Sequence, residues 1–206
     1  MKPTRLTILI SALLALAVAV QAQEKKGEKK AEKKPAAKME MPKPGPEVKK
    51  LATFVGTWTS EGEVKENAFG MPAGKFTSTD KCEWFSGGYQ VVCHSTGKGP
   101  MGAVHGMGIL AYNTEEKAYT YYGIDNMGMA EQSKGTVDGN NWVYTNEGKM
   151  GGKPYHGRYS MTVSSPDSYT FKYETSDDGQ KWSLMMEGKS TKAGGGEKKT
   201  APAEKK

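Results

Sequence analysis

The stretch Cys82-Glu83-Trp84-Phe85-Ser86-Gly87-Gly88-Tyr89-Gln90-Val91-Val92-Cys93 decides how this chain folds. Gly87-Gly88 is the signature of a two-residue β-turn, because both central positions of such a turn need φ above zero. Strands leaving that turn pair Cys82 with Cys93 and Trp84 with Val91, so a cross-strand disulfide between Cys82 and Cys93 is expected. Closing a loop of that length stabilises a fold by about 2 to 3 kcal/mol, through the unfolded chain.

The same two-residue periodicity extends in both directions. Trp58, Ser60, Gly62 and Val64 alternate with Thr59, Glu61, Glu63 and Lys65, the pattern of a half-buried strand. Comparable runs bounded by turn residues fall at 56–66, 74–85, 89–96, 103–112, 118–125, 130–137, 141–149, 154–163, 168–176 and 181–191. The one helical signal is Pro46-Glu47 followed by Val48, Leu51, Ala52 and Val55 at spacings of three and four. No connection is long enough for a crossover helix, so successive strands are antiparallel. A meander of ten short strands loses its edges by closing on itself. The expected fold is all-β, an antiparallel up-and-down barrel with a short N-terminal helix. An eight-stranded barrel and an open two-sheet sandwich are the alternatives.

An even strand count sends alternate connections to opposite ends. One end collects tight polar turns and the helix, and reads as plugged. The other collects Phe69 to Gly74, Gly97 to Gly102, Asn126 to Met129 and Gly148 to Gly152, four links that combine Met with Gly, with Ser176 to Gly179 as the exception. Glycine gives an adaptable backbone and the unbranched thioether conforms to irregular apolar shapes. The mouth so formed is the expected entrance for a small apolar or amphipathic ligand. The expected ligand-contacting residues are Phe69, Met71, Met101, Met127, Met129 and Met150 at the rim, with Trp58, Trp84, Tyr112, Trp142 and Trp182 lining or filling the barrel. The alternative is a structural or interaction module whose 19 aromatics (4 Trp, 10 Tyr, 5 Phe) pack the interior solid.

The flanks differ from this core. Lys2 and Arg5 precede an apolar run from Leu6 to Val20, followed by Val20-Gln21-Ala22, so residues 1–22 read as a signal peptide cleaved after Ala22 and the mature protein as secreted, in the periplasm. At 15 residues the run is short for a membrane span, and no transmembrane segment is expected after processing. Residues 23–45 repeat Glu-Lys-Lys and then turn Pro-rich, a spacer without an apolar face, and 193–206 form a basic tail; 46–192 is the barrel domain. The chain's net charge of +6 belongs to these tails. Residues 51–188 alone carry 16 acidic against 11 basic side chains. No basic face interleaved with aromatics exists, which argues against nucleic acid as a partner. The Lys-rich tails suit contact with anionic envelope surfaces.

Catalytic motifs are missing and the chain does not read as an enzyme. Gly97-x-Gly99-x-x-Gly102 is interrupted by Pro100 and precedes a strand, so it is a chance dinucleotide match. No cofactor and no metal site are expected. Copper handling is a further alternative, resting on His94 lying opposite His105 if the loop runs from Gly97 to Gly102. Arg158, the one arginine after residue 22, falls on the outward parity of its strand and reads as covering an aromatic.

With Gly56-Thr57-Trp58 opening the first strand, the chain resembles the lipocalin-like (calycin) superfamily. More closely, Cys82 to Phe85, Gly87-Gly88, Val92-Cys93-His94, Ala111-Tyr112-Asn113, the run from Lys134 to Trp142, and Glu174, Ser176, Asp178-Gly179 and Trp182 resemble the bacterial domain-of-unknown-function 1579 family. The resemblance covers nearly all of 47–192. It implies a lipocalin-like antiparallel barrel and brings no established activity. Asn67 to Gly74 is too short for the helical lid of fatty-acid-binding proteins. The last strand lacks the histidine through which nitrobindin-type barrels bind haem.

Overall fold

The structure, a computed structural model, describes residues 43–194. The expected signal peptide, most of the expected Lys/Glu/Pro spacer and the end of the basic tail lie outside the described residues. A short helix α1 (Pro46–Lys50) runs into a single 3₁₀ turn (Leu51–Phe54). Ten strands follow: β1 (Gly56–Val64), β2 (Gly74–Trp84), β3 (Gln90–Gly99), β4 (Gly102–Asn113), β5 (Ala118–Asp125), β6 (Ala130–Asp138), β7 (Asn141–Met150), β8 (Lys153–Ser165), β9 (Ser168–Ser176) and β10 (Ser183–Lys192). Each pairs antiparallel with its sequence neighbours, and β1 pairs with β10, so the sheet is a closed barrel without edges.

The register makes the inner wall explicit. Trp58 faces Asp80 across β1 and β2, Asp80 faces Ser95, and Cys82 faces Cys93, which are joined by the expected disulfide. Inward positions continue through Leu110, Tyr121, Ser133, Tyr144, Tyr159 and Phe171.

One expected register differs. Gly97 and Gly99 continue the β3–β4 ladder, pairing with Val104 and Gly102, so the connection shrinks to Pro100-Met101. His94 then faces Met107, and His105 faces Thr96. The proposed His94–His105 opposition is therefore wrong, because glycines that read as loop remain in the sheet. Among the described residues no group of three or more His, Cys, Asp or Glu converges on one point.

The end that receives the helix is packed solid. Leu51, Phe54, Trp58, Val91, Leu110, Tyr119, Trp142 and Met161 are all buried there. The Trp58 indole N–H donates to the Phe54 carbonyl at 2.8 Å, tying the 3₁₀ turn to the barrel floor. Phe54 meets Trp142 edge-on at 4.8 Å, and Tyr119 meets the same indole at 4.9 Å. The Tyr119 phenol donates to the Glu47 carboxylate at 2.7 Å, latching α1 onto the plug. Emptying a site like Trp58 costs a core about 3 to 5 kcal/mol.

Candidate functional site: the mouth half of the barrel

The five links at the far end are residues 65–73, Pro100-Met101, 126–129, Gly151-Gly152 and 177–182. The Met-bearing bends therefore share one rim, as the strand count requires. Met101, Met127 and Met129 are exposed at 51%, 44% and 42%, and Phe69, Met71 and Met150 are half-buried. These loops are braced. Asn67 Oδ1 accepts from the backbone N–H groups of Phe69 and Met71 at 3.1 and 3.3 Å. Asp125 Oδ1 accepts from those of Met127 and Met129 at 2.8 and 3.0 Å. Asn126 clips its loop to the neighbouring hairpin, accepting from His105 N–H and donating to the Ala103 carbonyl. Phe69 also packs on Tyr155, with ring centroids 5.7 Å apart.

The other expected ligand residues lie elsewhere. Trp58 and Trp142 belong to the buried floor; Tyr112 packs on Tyr119 beside them, at 4.9 Å. Trp84, 36% exposed, sits at the plugged rim. Trp182 lies on the outer wall beneath the Arg158 guanidinium, whose carbon is 4.0 Å from the ring centroid. Arg158 also donates from Nε and Nη2 to the same Glu174 oxygen, each at 3.0 Å. It covers an aromatic, as its outward parity implies.

Between floor and rim, the inner wall changes character. Ser78, Asp80, Ser95, Tyr121, Glu131, Asn146, Tyr159 and Tyr173 all point inward, yet each is only half-buried, whereas Trp58, Val91, Leu110, Tyr119, Trp142 and Met161 of the floor are buried. Glycines make room for rings laid flat against the wall. Gly108 and Gly123 face each other across β4 and β5, and a Cβ on either would lie 2.6 Å from the Tyr121 side chain.

The lumen's electrostatics follow from this enclosure. Asp80 accepts from Ser95 Oγ and, at 3.3 Å, from Ser78 Oγ. Burial pushes its carboxyl above the ordinary range, and the two serine hydrogen bonds offset part of that rise. Glu131 accepts from Ser133 at 2.5 Å. Burial, then the charges of Glu131, Asp80 and Asp125, pushes the Tyr121 phenol up to about 12. Burial also carries Tyr159 well above the usual phenol value, with Tyr169, Asp80, Tyr121 and Glu131 adding to it. Tyr173 rises by burial and by its hydrogen bond with Tyr155. These phenols stay neutral and act as hydrogen-bonding groups.

Two shallow depressions mark the outer wall. One, over β4 to β6, exposes Met107, Ile109, Tyr122 and Ile124; the other, over the β8–β10 and β1–β2 strands, is edged by Glu61, Glu63, Lys75, Lys172, Glu187 and Lys189. No helix among the described residues is long and apolar enough to cross a membrane.

Fold and lumen together define a lipocalin-like closed antiparallel barrel. The chain belongs to the family described as protein of unknown function (DUF1579), whose model matches residues 43–192. Among solved structures it is similar to Rv2717c from M. tuberculosis, at 12% identity and a TM-score of 0.51 over 72% of this chain and 98% of that one. It is also similar to the S-type phycobiliprotein lyase CPES from Guillardia theta, at 11% identity and a TM-score of 0.48 over 70% and 90% of the two chains. A de novo designed fluorescence-activating β-barrel matches at 14% identity and a TM-score of 0.40 over 69% and 96%. No curated protein matches the chain.

Proposed function

We propose that this protein binds a small molecule in the mouth half of its barrel, admitted between the Met-bearing loops. The observation that carries this reading is the asymmetry of the interior: a solid aromatic floor below, and above it an inner wall of tyrosines, serines and carboxylates with surface left to the lumen. Apolar contact from the rim and a few convergent polar groups beneath it are the usual make-up of a small-molecule site. In this reading the protein is a binder and not a catalyst. In this reading residues 1–22 direct it across a membrane to the periplasm and the Lys-rich tails hold it near anionic envelope surfaces.

The test is fluorescence titration with the neutral apolar dye N-phenyl-1-naphthylamine. Ser95 and Thr96 are adjacent and face opposite sides of the wall. Ser95→Phe fills the lumen and is expected to weaken dye binding at least tenfold, while Thr96→Phe leaves it unchanged. Equal binding by both variants contradicts the proposal.

A further inference from the structure

The charges that face the lumen below the rim are of one sign. The inward positions of the mouth half carry Asp80, Glu131 and Asp125, and their one basic residue, Lys153, is exposed at the first position of β8, on the rim itself. The inward-parity Lys192 lies at the opposite end, 5.2 Å above the Trp58 ring. Among the described residues neither Asp80 nor Glu131 forms an ion pair; their hydrogen-bond partners are serine hydroxyls alone. An enclosed carboxylate without a cation is unfavourable, because a few hydroxyls replace only part of its hydration.

A second observation is independent of the acids. The Tyr121 and Tyr159 phenols, on inward positions of the wall, make no hydrogen bond among the described residues, and both residues are only half-buried. Tyr159 stacks on Phe171 at 5.8 Å, and Phe171 lies 6.1 Å from Phe76, so aromatic faces continue around the same level. Electron-rich ring faces attract cations, and do so more strongly where water is displaced.

We infer that the ligand of this chamber is a cation, an organic ammonium or a comparable flat delocalised cation, held between the Asp80 and Glu131 carboxylates with its apolar body against Tyr121, Tyr159 and Phe171. This rests on the binding function proposed above and adds the ligand's charge. The ligand supplies the counter-charge that the wall lacks, and its N–H groups, where it has them, meet the free phenol oxygens. An anionic ligand meets the same carboxylates unfavourably and finds no basic partner below the rim.

Three dyes separate charge from binding itself: cationic thioflavin T, anionic 1-anilinonaphthalene-8-sulfonate and neutral N-phenyl-1-naphthylamine, each titrated into the protein at low salt. Thioflavin T is expected to bind at least tenfold more tightly than the anionic dye, a difference of about 1.4 kcal/mol or more. Asp80→Asn combined with Glu131→Gln is expected to remove that preference and leave the neutral dye unchanged. Glu83→Gln combined with Glu115→Gln takes the same charge from exposed outer positions and is expected to change nothing. Should the paired lumen substitution unfold the barrel, Glu131→Gln alone is read in its place. Equal affinity for the two charged dyes overturns the inference, as does an equal loss from inner and outer substitutions, while binding of the neutral dye upholds the lumen as a site. Failure of all three dyes overturns both.

Discussion

Gly108→Ala probes the wall that shapes the lumen. The added Cβ lies 2.6 Å from Tyr121 Cε2, against 3.4 to 4 Å for ordinary contact, so the ring must retreat by about 1 Å toward the barrel axis. Overpacking of this kind costs about 1 to 3 kcal/mol. Replacing a mid-strand glycine by alanine recovers about 0.5 to 1 kcal/mol of backbone entropy. The net destabilisation is up to about 2.5 kcal/mol, which for a barrel of this size lowers Tm by up to roughly 10 °C. Thermal unfolding followed by near-ultraviolet circular dichroism, with the disulfide intact, measures it. The sign is expected to reverse in a Tyr121→Ala background, where the methyl meets no ring and only the entropy gain survives. The coupling in the double-mutant cycle is then about 1 kcal/mol or more. If alanine stabilises the wild-type barrel, or costs the same in both backgrounds, Tyr121 does not lie across Gly108 and the lumen is not built as described.

Replacing both Cys82 and Cys93 by serine is expected to lower unfolding stability by about 2 to 3 kcal/mol in urea titrations, at unchanged fold. Asp80 is raised from its ordinary value of 3.8 chiefly by burial, so the folded state favours its protonated form. Stability from this group is fully present below about pH 3.8 and is lost as pH rises through the folded-state value; Asp80→Asn should therefore be more stable than wild type at pH 7 and equal to it below pH 3.8, in unfolding curves across pH. Arg158→Lys removes the planar cover on Trp182 and one of two hydrogen bonds to Glu174, and is expected to cost about 1 kcal/mol and to alter tryptophan fluorescence.

The architecture could be read from alternation and turns, because a closed meander leaves few choices once every connection is short. Taking Gly87-Gly88 as the turn predicts the observed register and the Cys82–Cys93 bridge, although the turn's hydrogen bond, from Gly88 N–H to the Phe85 carbonyl, centres it on Ser86-Gly87 within the longer link from Phe85 to Tyr89. The gathering of Met101, Met127 and Met129 at one rim followed from strand parity. What parity does not report is height along the barrel. Trp58 and Trp142 are inward, as expected, yet the 3₁₀ turn that fills the floor decides that they pack against Phe54 and not beneath the mouth. The lumen carboxylates went unread for a different reason. Counting from the Cys82–Cys93 pair places Asp80, Ser78 and Ser95 inside, but polar residues on a strand are ordinarily assigned to water. Around Glu131 the inward neighbours Ser133 and Gly135 are small and give no apolar signal. Gly97 and Gly99 misled in the opposite sense, reading as loop where they continue the ladder.

Tyr121 and Tyr122 are consecutive and face opposite sides of one strand, the first lining the lumen and the second the outer depression beside Ile124. Ring-labelled tyrosine spectra recorded while N-phenyl-1-naphthylamine is titrated into the protein read both faces at once. The Tyr121, Tyr159 and Tyr173 resonances are expected to move with saturation, while Tyr122 and the floor residues Tyr112 and Tyr119 hold still. Movement of Tyr122 with Tyr121 and Tyr159 unchanged would place the ligand outside the barrel and contradict binding in the mouth half.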